Sequence, residues 1–262
     1  MMFNIQKKIY IFVFLFVLFL AESLSSSLSG VLILTGPPGS GKGHLASFFA
    51  SNYPCGHISA GDLLREEVNK KTLIGLSIEN TIRQGKPVAN EVMHSLFRGK
   101  VTEEMGKHSL LIIDGFGGQS SEDVPFLRSL LEQEGLSDRT IAVFLESSDE
   151  ECQKRMEGRL ICNHCARVYN VNTCPPKTEI LCDVCSKQLI QRPQDTVETI
   201  RNRLARYRTV MEPNYLQLTQ IFPWVSFDVD HGECTEFYQK LATIIQHFPE
   251  SMVQNFVKNP GK

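Results

Sequence analysis

The sequence predicts a doubly wound α/β fold, a parallel sheet with helices on both faces, and three observations predict it. Short apolar runs rich in β-branched residues alternate with longer helical stretches, as βαβ units require. The runs are apolar throughout rather than at every second position, as in strands buried on both faces. The first two, Val31–Thr35 and Ser109–Asp114, run into glycine-rich turns, at the carboxyl ends where such sheets bind ligands.

The elements follow in order. Lys7 and Lys8 precede an unbroken apolar run, Ile9–Ala21, and a Ser-rich stretch, Glu22–Gly30. That is the outline of a targeting leader. Thirteen apolar residues are short for a membrane span, and with no polar face they do not suit a core helix. Residues 1–30 are therefore read as a signal-like or anchoring leader outside the fold, with membrane contact through 9–21. Val31–Thr35 is the first strand, and His44–Ser51 continues as a helix with Leu45, Phe48 and Phe49 on one side. Helices are expected at Asp62–Asn69, Gly75–Gln84 and Asn90–Glu104, then the strand Ser109–Asp114 and a helix at Ser121–Glu134. Strand Thr140–Leu145 precedes helices at Asp149–Gly158 and Val197–Thr209. Strand Trp224–Asp228, a helix at Thr235–His247 and a polar tail, 251–262, close the chain.

Composition sets the class. Apolar residues make up 42% of 262 residues, enough for a sizeable core, and charged residues 21%. A net charge of −2 provides no basic field, which argues against a dedicated nucleic-acid binder.

The first turn reads GPPGSGKG, Gly36–Gly43. It fits the phosphate-binding P-loop, G-x-x-x-x-G-K, in its strand–loop–helix setting, so the fold is of the P-loop NTPase type. Gly36, Gly39 and Gly41 let backbone N–H groups point inward at phosphate oxygens. Lys42 adds a point charge. Gly43 stands where a P-loop places the Mg²⁺-binding Ser or Thr, and His44 follows. Asp114, at the end of the second strand, becomes the expected water-mediated Mg²⁺ ligand; the alternative is a buried Asp that caps a turn.

Five of the eight cysteines fall within residues 162–185, spaced C-x2-C-x16-C-x2-C. Cys162, Cys165, Cys182 and Cys185 fit a closed four-thiolate Zn²⁺ site, structural because no coordination position stays open. Two disulfides or unrelated thiols are the alternatives. Cys174 and His164 lie nearby outside the paired knuckles.

Taken together, GPPGSGKG, SAGDLLREEV (Ser59–Val68), GKPV (Gly85–Val88), DGF (Asp114–Phe116), KRMEGR (Lys154–Arg159) and QRPQDTVETIRNRL (Gln191–Leu204) resemble the adenylate kinase family over about Val31 to Phe248. The resemblance implies reversible phosphoryl transfer between ATP and a nucleoside monophosphate, most often AMP. It makes the cysteine segment, 158–195, a zinc-bearing lid, and 59–88 an acceptor-binding helical arm. The core is then 31–157 with 196–250. Gly39, Ser40, Gly41, Lys42, Gly43, His44, Arg159, Val168 and Tyr169 are implied on the ATP side. Ala60, Arg65, Lys86, Pro87, Val88, Gly115, Arg192 and Arg203 are implied on the acceptor side. Lys42, Arg155, Arg159, Arg192, Arg203 and Asp114 are implied in catalysis, where a guanidinium fork suits the transferring phosphate. Arg201 and Arg206 are read as helix-surface residues.

The sequence departs from the family's pattern mostly on the acceptor side. Gly117 and Gly118 stand in place of the Pro and Arg of DGFPRT, and Glu122 in place of a Gln that reads adenine. Losing a buried cation on phosphate costs about 2–5 kcal/mol; losing a base-edge hydrogen bond costs about 1–3 kcal/mol. Ala60 replaces a frequent Thr, His44 replaces the usual Thr after GKG, and Pro193-Gln194-Asp195 keeps one of two usual acids. The second reading is therefore an ATP-binding relative with weak, altered-acceptor or no transferase activity. A monomer is expected, since lid and arm close on one core. Zinc thiolates favour a cytoplasmic location, against which the leader points to anchoring, export or organelle import.

Overall fold

The computed structural model describes residues 30–230 apart from 109, 166 and 193. The leader, the helix expected at Thr235–His247 and the tail lie outside the described residues. Among those described, no helix is long and apolar enough to cross a membrane.

Five parallel strands form the main sheet, in the order β2-β3-β1-β4-β8. They are β1 (Gly30–Thr35), β2 (Cys55–Ser59), β3 (Leu110–Asp114), β4 (Thr140–Glu146) and β8 (Trp224–Asp228). The continuous apolar runs are explained by two cores. Val31 and Ile33 of β1, with Leu111 and Ile113 of β3, face one core; Leu32, Leu34, Leu110 and Ile112 face the other. Alternate side chains point to opposite faces, so both faces must be apolar. Helix α1 (Lys42–Asn52) covers one face with Leu45, Ala46 and Phe49. Helices α4 (Asn90–Glu104) and α5 (Asp123–Gln133) cover the other with Phe97, Val101, Leu127 and Leu130. Phe97 stacks on Phe116, ring centroids 3.9 Å apart.

Strand β2 was not legible in the sequence. CGHIS carries a single large apolar residue, Ile58, and borrows its geometry from β3, with which it pairs in parallel from Cys55 to Ser59. Ser59 then caps α2 (Ala60–Asn69), accepting from the Asp62 N–H, and Thr72 caps α3 (Leu73–Arg83), accepting from Gly75. These side-chain caps satisfy orphan helix donors and start each helix two residues before its expected boundary.

A second, antiparallel sheet holds β5 (Arg159–Cys162), β6 (Val168–Asn170) and β7 (Leu189–Ile190), with β5 central. It follows α6 (Asp149–Glu157) and precedes α7 (Val197–Arg206). The helix expected over Val197–Thr209 is α-helical only to Arg206, then makes one π turn, Tyr207–Met211, before α8 (Glu212–Leu216). Such turns place one extra residue in a helix and occur often at functional sites.

Phe97 is fully buried and links β3 to α4. Phe97→Ala is expected to lower unfolding free energy by about 3–5 kcal/mol in urea titrations, with the denaturant slope unchanged.

Candidate functional site

A cavity of about 870 Å³ opens at the carboxyl ends of the main strands. Its floor is the loop between β1 and α1. Gly36, Gly39 and Gly41 all have positive φ, and Gly39 shows why no side chain fits: a Cβ there would lie 2.5 Å from the Cys152 carbonyl oxygen. Lys42 Nζ donates to the carbonyls of Gly36 and Pro37, both at 2.8 Å, and to Ser40 Oγ at 3.4 Å. Burial pulls the Lys42 ammonium below its ordinary pKa, and attraction to Asp114 opposes that pull. His44 is lowered by burial and then by Arg167. Asp114 is buried, and His57 Nε2 approaches its Oδ2 at 3.5 Å. A Cβ on Gly43 would lie 4.0 Å from Asp114 Oδ2, so this carboxylate faces the position left bare by the missing hydroxyl.

The structure brings together all the residues predicted for ATP, acceptor and catalysis. Gly39, Ser40, Gly41, Lys42, Gly43, His44, Ala60, Arg65, Lys86, Pro87, Val88, Asp114, Gly115, Arg155, Arg159, Val168, Tyr169, Arg192 and Arg203 all line the cavity. The arginines differ in what holds them. Arg159 donates from Nε and Nη2 to the two oxygens of Asp195, at 2.8 and 2.7 Å, a bidentate fork. Arg203 reaches the same carboxylate at 3.4 Å. Arg65 pairs with Asp62. Arg155 donates to Glu151 at 2.9 Å and to the Val229 carbonyl at 2.6 Å. Arg192 Nε is buried with no hydrogen-bond partner among the described residues. Burial and then the Arg159 charge pull both Arg192 and Arg203 below the usual arginine range. A guanidinium so placed is stabilised by an anion.

Sequence reasoning missed two residues here. Asp195, its side chain fully buried, is more than the surviving acid of its segment; it holds Arg159 and Arg203 together. Arg206, expected on the helix surface, instead lines the cavity and donates to the backbone and side-chain oxygens of Gln119. Arg201 is exposed, as expected. The signal for Arg206 was its spacing: it lies one helical turn after Arg203, on the same face.

The four sulfurs of Cys162, Cys165, Cys182 and Cys185 lie within 4.8 Å of one another. Individual separations are 3.4 Å (Cys162–Cys185), 3.5 Å (Cys165–Cys182) and 3.6 Å (Cys165–Cys185). These exceed the roughly 2.05 Å of a disulfide and approach the ~3.8 Å between sulfurs of a tetrahedral site with metal–sulfur bonds of ~2.3 Å. The two knuckles fold alike: Cys162 N–H bonds the Arg167 carbonyl at 2.9 Å, and Cys182 N–H bonds that of Lys187 at 2.8 Å. Tyr169 Oη accepts from the Asp183 N–H and lies 3.4 Å from Cys182 Sγ. Burial raises the Cys182 thiol, but hydrogen bonds from Tyr169 and the backbone outweigh it and bring the pKa to about 6. Burial pushes Cys165 up to about 12. The set can hold a thiophilic metal, and Cys174 and His164 are not part of it.

The sequence model of the family described as "Adenylate kinase" matches residues 34–217. The chain belongs to the adenylate kinase family. It is 37% identical over 183 residues to an adenylate kinase of Streptomyces avermitilis, covering 70% of this chain and 82% of that protein. It is 36% identical over 182 residues to one of Petrotoga mobilis, covering 70% and 82%. It is 31% identical over 219 residues to one of Pyrococcus horikoshii, covering 82% and 96%.

Within this adenylate kinase relative the Gly117-Gly118 turn has a physical cause. A Cβ on Gly118 would lie 2.6 Å from the Tyr215 ring, and Tyr215 is 1% exposed. Tyr215 occupies the space that a side chain at 118 would need. Glu122 is exposed and accepts from Asn90 Nδ2 at 3.0 Å. Gln119 lines the cavity, tied to Arg206 and to Met211 Sδ.

Removing the Asp195 charge leaves two half-buried guanidinium groups without their shared carboxylate, worth up to about 3–5 kcal/mol. Asp195→Asn is therefore expected to speed amide exchange in β5 by about 100-fold or more, with β1 and β3 unchanged, as read by hydrogen-exchange mass spectrometry.

Proposed function

We propose that this chain catalyses reversible phosphoryl transfer from Mg-ATP to a nucleoside monophosphate, with AMP the foremost acceptor (ATP + AMP to two ADP). The observation that carries the reading is the convergence of the glycine loop and Arg65, Arg155, Arg159, Arg192 and Arg203 on one cavity. Phosphoryl transfer needs positioning and positive charge more than covalent help. Gly39 to His44 cradle the ATP phosphates through backbone N–H groups, and Lys42 turns from its own loop carbonyls to the phosphate oxygens. Val168 and Tyr169 border the ATP base and ribose. Ala60, Arg65, Lys86, Pro87, Val88 and Gly115 receive the acceptor. Arg155 and Arg159 meet the transferring group, and Arg192 and Arg203 bridge to the acceptor's phosphate.

Asp114 would hold Mg²⁺ through water, an oxygen donor suited to a hard cation; the ion when bound screens charge between the phosphates. Cys162, Cys165, Cys182 and Cys185 would hold Zn²⁺, which stiffens residues 158–195 as a lid. The lid and the arm, 59–88, close over the core (31–157 and 196–250) and exclude water, which would otherwise take the phosphoryl group. One chain provides the whole cavity, and the working form is a monomer. The thiolates require a reducing compartment such as the cytoplasm.

The second reading, an ATP-binding relative with weak or no transfer, is favoured by one observation: Tyr215 leaves no room for a cation at position 118. Turnover separates the two. The chain from residue 30 onward is incubated with Mg-ATP and each of AMP, GMP, CMP and UMP, and diphosphate is measured. Rapid AMP-dependent ADP formation is expected, and Lys42→Met is expected to reduce it by about 100-fold or more. ATP binding without diphosphate formation from any monophosphate favours the second reading.

Purified protein is expected to release zinc when its thiols are titrated, and Cys182→Ser to abolish that release and lower Tm. Thiolate ligands must lose protons to bind metal, so affinity rises with pH; retention is expected at pH 7 and loss as pH falls towards about 5, followed with a zinc-sensitive dye.

A further inference from the structure

The geometry assigns one more acceptor contact: we propose that Arg206, held in place by Gln119, binds the phosphate of the nucleoside monophosphate. This inference rests on the kinase reading above. Four of the cavity's other arginines are committed to carboxylates. Arg65 pairs with Asp62, Arg155 with Glu151, and Arg159 and Arg203 with Asp195. Arg206 meets no carboxylate among the described residues. Its Nε and Nη2 donate to Gln119 Oε1 at 3.3 and 3.1 Å, and Nη2 donates to the Gln119 carbonyl at 3.3 Å. These neutral acceptors orient the fork without cancelling its charge, and no hydrogen bond from Nη1 is made among the described residues. A half-buried guanidinium that faces a cavity with its charge uncompensated is an anion site, and a planar fork favours phosphate.

The surrounding chain explains why the cation comes from α7. The loop after β3 cannot carry one at position 118, because Tyr215 fills that space. Asn214 Nδ2 donates to the Gly118 carbonyl at 3.2 Å and fixes the loop against α8. Gln119 is thereby presented to α7, where Arg206 is the last α-helical residue before the π turn. Arg203, one turn earlier, already lines the acceptor side. Arg206 extends that cationic wall towards Gly117 and Met211, both cavity-lining residues.

The test uses the full folded chain and two substitutions, Arg206→Gln, which keeps length and hydrogen-bonding capacity, and Arg206→Lys, which keeps charge. KM and kcat are measured for AMP, GMP, CMP and UMP at saturating Mg-ATP, with inhibition by the matching nucleosides. Arg206→Gln is expected to raise the KM of the accepted monophosphate by about 10- to 100-fold, with the ATP KM and nucleoside inhibition unchanged. Arg206→Lys is expected to recover part of the loss. A monophosphate KM within about twofold of wild type in both variants overturns the inference while the kinase reading stands. So does an equal loss for nucleoside and monophosphate, which marks a base contact. A wild-type chain that turns over no monophosphate defeats the kinase reading and this inference with it. Circular dichroism melts establish that both variants are folded; if Arg206→Gln is not, Arg206→Lys and Gln119→Ala decide the question by the same KM criterion.

Discussion

Guanidinium groups repel one another, and this protein holds several in a single cavity where burial strengthens the repulsion. Asp195 is what makes the arrangement stable. Its side chain is fully buried and it bonds Arg159 through both oxygens while reaching Arg203. One carboxylate between two cations leaves the group net positive, and Arg192 adds a further charge, its buried Nε without a hydrogen-bond partner among the described residues. The cavity is therefore organised in advance for an anion that would complete the balance, so no large rearrangement of charge is needed when that anion arrives.

The same strand joins this charge to the cysteine cluster. Arg159 begins β5 and Cys162 ends it, three residue steps or about 10 Å apart. A metal fixed at the sulfurs would hold the strand that presents Arg159, and Asp195 would hold Arg159 to Arg203 on α7. The small sheet has a modest apolar centre, Cys162, Tyr169, Cys182 and Leu189, so burial alone gives it little rigidity. Cross-linking by metal is a physical answer to that shortage.

Much of this was legible in the sequence because the signals are local. An apolar run ending in GPPGSGKG specifies strand, loop and helix together, and Cys-x-x-Cys pairs specify their own knuckles. What was not legible depends on contacts between distant segments. β2 is a strand because β3 lies beside it, not because CGHIS has the pattern of one. Arg206 is drawn from the surface by Gln119, 87 positions away. The tolerance for Gly118 is set by Tyr215, on a helix far along the chain. Asp195 is a single acid in a lid exit segment until folding brings two arginines to it.

Isotopic labelling follows the phosphoryl group itself. ATP carrying an isotopic label in its γ-phosphate is mixed with AMP, Mg²⁺ and the protein, and the label is located by phosphorus NMR. Label is expected in the β-phosphate of ADP, at a rate far above any release as free phosphate. Bound ATP whose label stays at the γ position, or leaves only as inorganic phosphate, would contradict phosphoryl transfer.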